Sequence, residues 1–320
     1  PLGYGLSQVM FALTGNLPMM ILSRLFSGIF AGATYSVAYG YVSDISERQM
    51  KSANIAKIGS IAIIGGALGA KIGGQVAVMN TTYPFILQLI LSIVVTGLLF
   101  FFLKDTEEDE EETKSKRLSD LKGLNPFSTF KYIKELDSSS KFFVLIIFMS
   151  GVGIFSYNSS IIYFLKFYKN VSSNTIGTFT MLSSLLAFLG TSFLLKWMLK
   201  KHKEISIYRV FVTLGILLMI ISLVILEKGL IPYVLFSIYT MSYEIVRTLG
   251  NSILANRFKR DQGKILGIAT GMGSLGMAVG SLISGYLLAM DSYLPFIVNI
   301  VMMSLVIGLL IYNNFINTKK

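Results

Sequence analysis

The chain has 320 residues, 53% of them hydrophobic and only 14% charged, with a mean hydropathy of +0.66; soluble domains carry about 25% charged residues, so this is the composition of a polytopic membrane protein. Cys is absent and His202 is the one histidine, which excludes disulfide frameworks, thiol chemistry and His/Cys metal clusters. The net charge of +11 points to membrane topology rather than nucleic acid, because the basic residues sit in short joins between apolar runs.

Ten apolar runs read as spanning helices: Pro1–Gly15 (short), Met19–Val42, Asn54–Met79, Tyr83–Leu103, Phe142–Phe167, Thr175–Met198, Ile207–Leu226, Leu230–Leu254, Ile265–Met290 and Tyr293–Asn313. The joins alternate in character. Asn16–Pro18, Asn80–Thr82, Asn170–Asn174, Glu227–Gly229 and Asp291–Ser292 are short with few charges. Ser43–Ala53, Lys104–Lys141, Leu199–Ser206, Ala255–Lys264 and the terminal Thr318–Lys320 hold most of the Lys and Arg. About 22 of the 28 basic residues lie in or beside this second set, against Lys166, Lys169 and Lys228 on the other side. The positive-inside rule therefore predicts a multi-pass cell-membrane protein with a cytoplasmic C-terminus.

The long join divides the chain into the remainder of an N-terminal helical half (1–103), a cytoplasmic linker (104–140) and a C-terminal six-helix half (141–320). The linker opens with an acidic, solvated run. It closes with Leu121, Leu124, Phe127, Phe130, Ile133 and Leu136 at every third position, the pattern of a helix lying on the inner membrane face. The Gly-rich run Ala53–Met79 returns roughly 211 to 213 residues later as Gln262–Gly285: Gln49 and Lys51 recur as Gln262 and Lys264, and Gly69 and Gly74 as Gly280 and Gly285. That is an internal duplication. Small residues let helix backbones approach where lipid offers no hydrophobic drive, so Gly65, Gly69, Gly73, Gly74, Gly280 and Gly285 are expected to pack against neighbouring helices. Four spans precede the linker and six follow it, the first span is only about 15 residues long where about 20 are needed, and Pro1 is not an initiator Met. The expectation is an N-terminally truncated 12-span protein lacking its first two and a half helices.

Arg24-Leu-Phe-Ser-Gly28, Tyr41-Val-Ser-Asp44 with Glu47-Arg48, and Gly65-x-x-x-Gly69-Ala70-x-x-Gly73-Gly74 resemble the fourth and fifth spans of the major facilitator superfamily, in particular its drug:proton antiporters of the tetracycline and quinolone exporter type. YEIVRTLGNSILANRF (Tyr243–Phe258) is similar to the tenth span of multidrug exporters in that group. Ala70 and Lys71 stand where the antiporter pattern has Pro and its neighbour, and Ser27 stands where the family usually has Gln. The resemblance implies an all-α membrane fold of two six-helix halves and secondary active transport by alternating access. It further implies proton-coupled efflux of small amphipathic compounds, a role for Arg24 in proton transfer or substrate gating, and a cytoplasmic gating role for Asp44 and Arg48. The expected partners are the lipid bilayer, protons and a small-molecule substrate, with no cofactor, no metal and no nucleic acid, and the protein is expected to be a monomer.

An ionisable group at the bilayer centre costs about 2.5–3.5 kcal/mol on insertion scales, so each one retained there is a functional candidate. Glu244 lies about 14 residues into its span, roughly 21 Å at 1.5 Å per residue. Burial favours its protonated form and Arg247, at i+3, favours the carboxylate, so its proton occupancy depends on access of water, which is what proton coupling requires. The alternative is a permanent ion pair that only fixes packing. Arg24 and Lys71 lie nearer the outer ends of their spans, where either can snorkel to the headgroups; for Lys71 the sharper reading is a cavity lining that repels cations or holds an anion. Tyr157 and Asn158, within the cluster Ser156–Ser160, are cavity or interhelical hydrogen-bonding candidates. Phe236, Tyr239 and Tyr243 share the helical face that leads to Arg247 and suit a greasy, adaptable cavity.

No catalytic constellation is visible, since His202 sits among Lys200, Lys201 and Lys203 without a carboxylate pair, and no enzyme is expected. The predicted function is proton-coupled efflux. A symporter or uniporter of a small metabolite such as a sugar or organic anion is the runner-up, with Lys71 its main support, and a channel-like or non-functional fragment is the reading from another class.

Overall fold

Proline marks where several of the helices begin: Pro18 and Pro84, for example, occupy the first turn of α2 (Leu17–Ile45) and α4 (Tyr83–Phe102), where a missing N–H leaves no hydrogen bond unmade. Our computed structural model describes residues 1–47, 50–103, 133, 136, 138–226, 229–257 and 262–318. The other helices are, in chain order, α1 (Leu2–Leu13), α3 (Lys51–Met79), α5 (Ser138–Tyr163), α6 (Ser173–Leu189), α7 (Glu204–Val224), α8 (Ile231–Arg257), α9 (Gln262–Met290) and α10 (Leu294–Thr318). A π-helical turn over Phe164–Tyr168 follows α5, and another over Gly190–Leu194 carries α6 on into Leu195–Leu199. Each expected span is a helix, with its ends moved by a few residues. The amphipathic helix expected in the linker lies outside the described residues.

Among the described residues, eight helices are long and apolar enough to cross a membrane. α1 is not, having 12 residues. α8 has 27 residues but is too polar, because Ser237, Thr240, Ser242, Glu244, Arg247, Thr248, Asn251 and Ser252 all lie within it. The chain divides into two compact units, Pro1–Leu121 with Ser172–Thr178, and Lys122–Val171 with Phe179–Lys320.

The duplication reaches the turns. Asn80 Oδ1 accepts from Thr82 N at 2.8 Å before α4, and Asp291 Oδ1 accepts from Tyr293 N at 2.7 Å before α10. Each is an Asx turn that lets the side chain stand in for a backbone partner, and each is followed by a proline.

In the first unit α1 packs on α2 and α4. A Cβ at Gly5 would stand 2.7 Å from Ser92 Cβ and 3.2 Å from Leu89 Cα, so α1 and α4 cross closely there. Most of the large apolar side chains of α2, α3 and α4 are exposed, as helices facing lipid require.

The second unit has a continuous core. Its tightest crossing is α9 on α5: a Cβ at Gly276 would strike the Phe148 carbonyl, one at Gly280 the Val152 carbonyl, and one at Gly151 would stand 2.8 Å from the Gly273 carbonyl. Backbone is thus laid on backbone, a geometry that also brings Cα–H groups to carbonyl oxygens. Ser159 and Ser281 share a hydrogen bond of 2.8 Å along the same seam, and Tyr168 Oη donates to Leu288 O at 3.1 Å. α10 closes on α5 through Ser156 Oγ, which donates to Pro295 O at 2.9 Å. Buried Asn299 donates to Gly153 O at 2.7 Å and to Tyr239 Oη at 2.6 Å.

The glycine expectation needs correction at four positions. Gly74 is closely packed, its Cβ position 2.6 Å from Ser173 O and 2.8 Å from Gly177 Cα of α6, and so is Gly280. At Gly65, Gly69, Gly73 and Gly285 an added Cβ meets nothing within 4 Å among the described residues. The reason is that α3 makes its close approach to α6 at Ala70 and Gly74, while Gly285 lies on the exposed face of α9.

Two consequences are measurable. Gly280→Ala must push α9 off α5 and is expected to abolish the monodisperse folded peak in detergent, whereas Gly285→Ala leaves it intact; equal behaviour of the two would show that the crossing tolerates a methyl. Asn299→Leu strips the donor from a buried carbonyl and a buried phenol, which should cost about 1–3 kcal/mol and lower the thermal midpoint in detergent, and an unchanged midpoint would show that neither group depends on Asn299.

Candidate functional site

In the first unit Arg24 is held across the α1–α2 hairpin rather than stretched toward headgroups. Its Nη1 donates to Gln8 Oε1 at 3.0 Å and its guanidinium lies 3.7 Å from the centroid of the Phe11 ring. Gln8, buried, donates in turn to Ser27 Oγ at 3.1 Å. Amide, hydroxyl and aromatic face together stabilise the cation without a carboxylate, and a cation over a ring contributes about 0.5–1 kcal/mol at exposed sites. Among the described residues no acidic group meets Arg24. A polar partner sixteen positions away is what the sequence did not reveal; the signal was Gln8 itself, an amide within a short apolar helix.

Lys71 is tied to neighbouring side chains. Its Nζ donates to Asn174 Oδ1 at 2.8 Å and to Thr178 Oγ1 at 2.6 Å, beside the point where Gly74 and Gly177 bring α3 and the start of α6 together. Two of its three donors are thereby used on neutral oxygens, which makes it a tie between helices. Both the lining reading and the snorkelling reading give way to that role. Arg48 and the side chain of Asp44, the expected gating pair, lie outside the described residues.

In the second unit the aromatic candidates also need correction. Tyr157, Phe236 and Tyr239 are each 1% exposed. Tyr157 meets Tyr239 edge-on at 4.6 Å between centroids and contacts Phe236 and Phe296, while Phe164 stacks edge-on against Phe296 at 5.1 Å. They are core, because the face of α8 that carries Phe236 and Tyr239 is turned onto α5 and α10. Tyr243 sits at the edge of this cluster and borders a void of about 10 Å³ with Gly215 and Met303, about one probe sphere and so room for a single water at most. Asn158 is exposed.

Glu244 and Arg247 are brought together as the spacing predicted. Arg247 Nε and Nη2 donate to Glu244 Oε2 at 2.9 and 2.6 Å, with the side chains 55% exposed for Arg247 and 24% for Glu244. Both bonds fall on one carboxylate oxygen. Glu244 Oε1 takes no hydrogen bond from the described residues, so it is the oxygen open to a proton.

Arg247 also borders a cavity of about 80 Å³ between α5, α7, α8 and α9, large enough for several waters or part of a small molecule. Ile147, Ile154, Val246 and Met277 supply apolar walls, and Tyr208 is turned aside by a 3.1 Å hydrogen bond to Ser150. Asn251 and Thr270 bring polar groups to the same space. The sequence reading missed both: Asn251 lies one turn beyond Arg247 at i+4, a spacing that could have found it, but Thr270 comes from another helix. Among the described residues no cluster of His, Cys, Asp and Glu could hold a metal ion.

Comparison with known proteins places this geometry in context. A family model described as Major Facilitator Superfamily matches residues 2–259. The chain is 22% identical over 299 residues to Multidrug resistance protein 2 of Bacillus subtilis, covering 92% of this chain and 72% of that protein. It is 33% identical over 99 residues to the quinolone resistance protein NorA of Staphylococcus aureus, covering 29% of this chain and 26% of NorA. Among solved structures, a D-xylose-proton symporter superposes with a TM-score of 0.71 at 12% identity, over 97% of this chain and 77% of that one. The human organic anion transporter MFSD10 does so with 0.54 at 19% identity, over 96% and 74%. At these identities the structures share the fold alone. The match over residues 2–259, the all-helical units and the duplicated turns agree, and the chain belongs to the Major Facilitator Superfamily, a family of multi-pass membrane transporters.

Proposed function

We propose that the protein exports small amphipathic compounds from the cytoplasm in exchange for protons, with Glu244 as the proton carrier. The observation that carries this reading is the Glu244–Arg247 pair on the polar helix α8, with Oε1 open and an apolar-walled cavity beside it. The guanidinium neutralises the carboxylate, and a proton taken up by Glu244 would dissolve the pair by removing one of the two charges. The site therefore has two states of different charge, which is what alternating access needs in order to exchange one occupant for another. The likeness to Multidrug resistance protein 2 and NorA supports export. The distribution of basic joins supports a cytoplasmic C-terminus. The rival reading, a metabolite symporter, leaned on Lys71, and Lys71 spends its ammonium on Asn174 and Thr178.

The test is proton-gradient-driven dye extrusion in everted vesicles, using the protein at its natural length. Glu244→Gln is expected to insert normally and to lose gradient-driven transport. Equal transport by the variant would reduce Glu244–Arg247 to a packing pair, and no dye movement by either would remove the exporter assignment.

A further inference from the structure

We propose that the cavity between α5, α7, α8 and α9 binds the head of an uncharged amphipathic compound that presents adjacent hydrogen-bond acceptors, such as an amide, imide or lactam. A guanidinium has five N–H donors in a rigid plane. Glu244 Oε2 takes one from Nε and one from Nη2, which leaves both of Nη1 and one of Nη2 without a partner among the described residues. Those three lie along the other edge of the plane, the edge that matches a planar pair of acceptors. Asn251, on the same face of α8, and Thr270, from α9, add an amide and a hydroxyl that make no hydrogen bond to the described residues. Three polar groups from two helices, each with hydrogen-bonding capacity left over among the described residues, thus meet at one cavity whose other walls are mostly apolar. Met277 lets that apolar part adapt to rings of different shape.

The charge of the ligand follows from what is absent from the lining. With Glu244 ionised, the Glu244–Arg247 pair is neutral as a whole. Among the described residues no carboxylate lines the cavity, so a cation would meet a guanidinium and no countercharge. An anion on the free edge would stand as a second negative charge beside Glu244. An uncharged acceptor needs neither: it takes the free edge while Glu244 keeps the other. Glu244 then acts as a positioning residue, holding the guanidinium in the orientation the ligand requires. Among the described residues the titratable groups around the pair are Tyr243 on α8 itself, Tyr208 of α7 across the cavity and Tyr157 of α5 in the core beneath, and α5 and α9 bring no charged side chain to the lining. Protonating Glu244 releases the guanidinium into several rotamers, so proton and ligand oppose one another. That opposition rests on the proposed role of Glu244 as proton carrier; the choice of ligand does not.

The experiment is equilibrium binding to the natural full-length protein in detergent at mildly alkaline pH, with no proton gradient, using three ring-matched probes: benzamide, benzoate and benzylammonium. Benzamide is expected to bind at least about tenfold more tightly than benzylammonium, the factor that 1.4 kcal/mol represents. Arg247→Gln should weaken benzamide by a similar factor. Gly273→Ala is a second variant that leaves the ion pair alone: its new methyl makes an ordinary 3.6 Å contact with Ile147 Cγ2, narrows the cavity, and should also weaken benzamide. Benzylammonium binding as tightly as benzamide, or benzamide affinity unchanged in both variants, would overturn the site. Because no gradient is present, these outcomes are separate from the exporter reading. A protein that binds benzamide in this way but extrudes no dye keeps the site and loses the exporter. One whose export depends on Glu244 but whose cavity prefers the cation keeps the exporter and loses the site.

Discussion

Inside a bilayer no hydrophobic force draws one helix to another, because lipid tails are as apolar as leucine. Association must come from close approach and from polar groups that cannot be satisfied elsewhere, and the second unit uses both at one seam. Gly276, Gly280 and Gly151 remove the side chains that would separate α9 from α5, so carbonyl oxygens and Cα–H groups meet directly. Ser159, Ser281 and Tyr168 then tie the same seam with hydrogen bonds. Everything the second unit offers to a ligand stands on this crossing, since α5 and α9 supply two of the four walls of the cavity beside Arg247.

The charges of the two units are settled by different means. In the second, Arg247 and Glu244 cancel one another one turn apart on a single helix, and the carboxylate is left with one oxygen uncommitted. In the first, Arg24 and Lys71 find no acid among the described residues and are stabilised by neutral groups: an amide and an aromatic face for Arg24, an amide and a hydroxyl for Lys71. Neutral partners leave a full positive charge in place. A carboxylate partner abolishes it, and only the latter arrangement changes its net charge when a proton arrives.

The helices themselves were legible in the amino-acid order because the bilayer imposes a length of about 20 apolar residues on each crossing. The Glu244–Arg247 contact was legible too, since i+3 on a helix is a local relation. Faces were not. Gly65 and Gly69 stand 211 positions before Gly276 and Gly280 in an equivalent helix, yet the later pair meets backbone and the earlier pair meets nothing described. What a glycine packs against is decided by a second helix, and the periodicity of one helix cannot name it. Tyr157, Phe236 and Tyr239 lie in the core for the same reason, Tyr239 bordering only the small void beside Tyr243: an aromatic face reads alike whether it turns toward a ligand or toward Phe296 and Asn299. The partner of Arg24 was hidden by a hairpin, and Thr270 by the distance in sequence between α8 and α9.

The polarity of α8 bears on how the chain enters its membrane. A segment carrying Glu244 and Arg247 near its middle pays about 2.5–3.5 kcal/mol for such a charge when it partitions alone from the translocon. α7 before it is strongly apolar, and α9 after it is glycine-rich but free of midspan charge. Pairing the two charges one turn apart within α8 lowers that cost, and apolar neighbours on either side favour release of α7 to α9 into lipid as a group over release helix by helix.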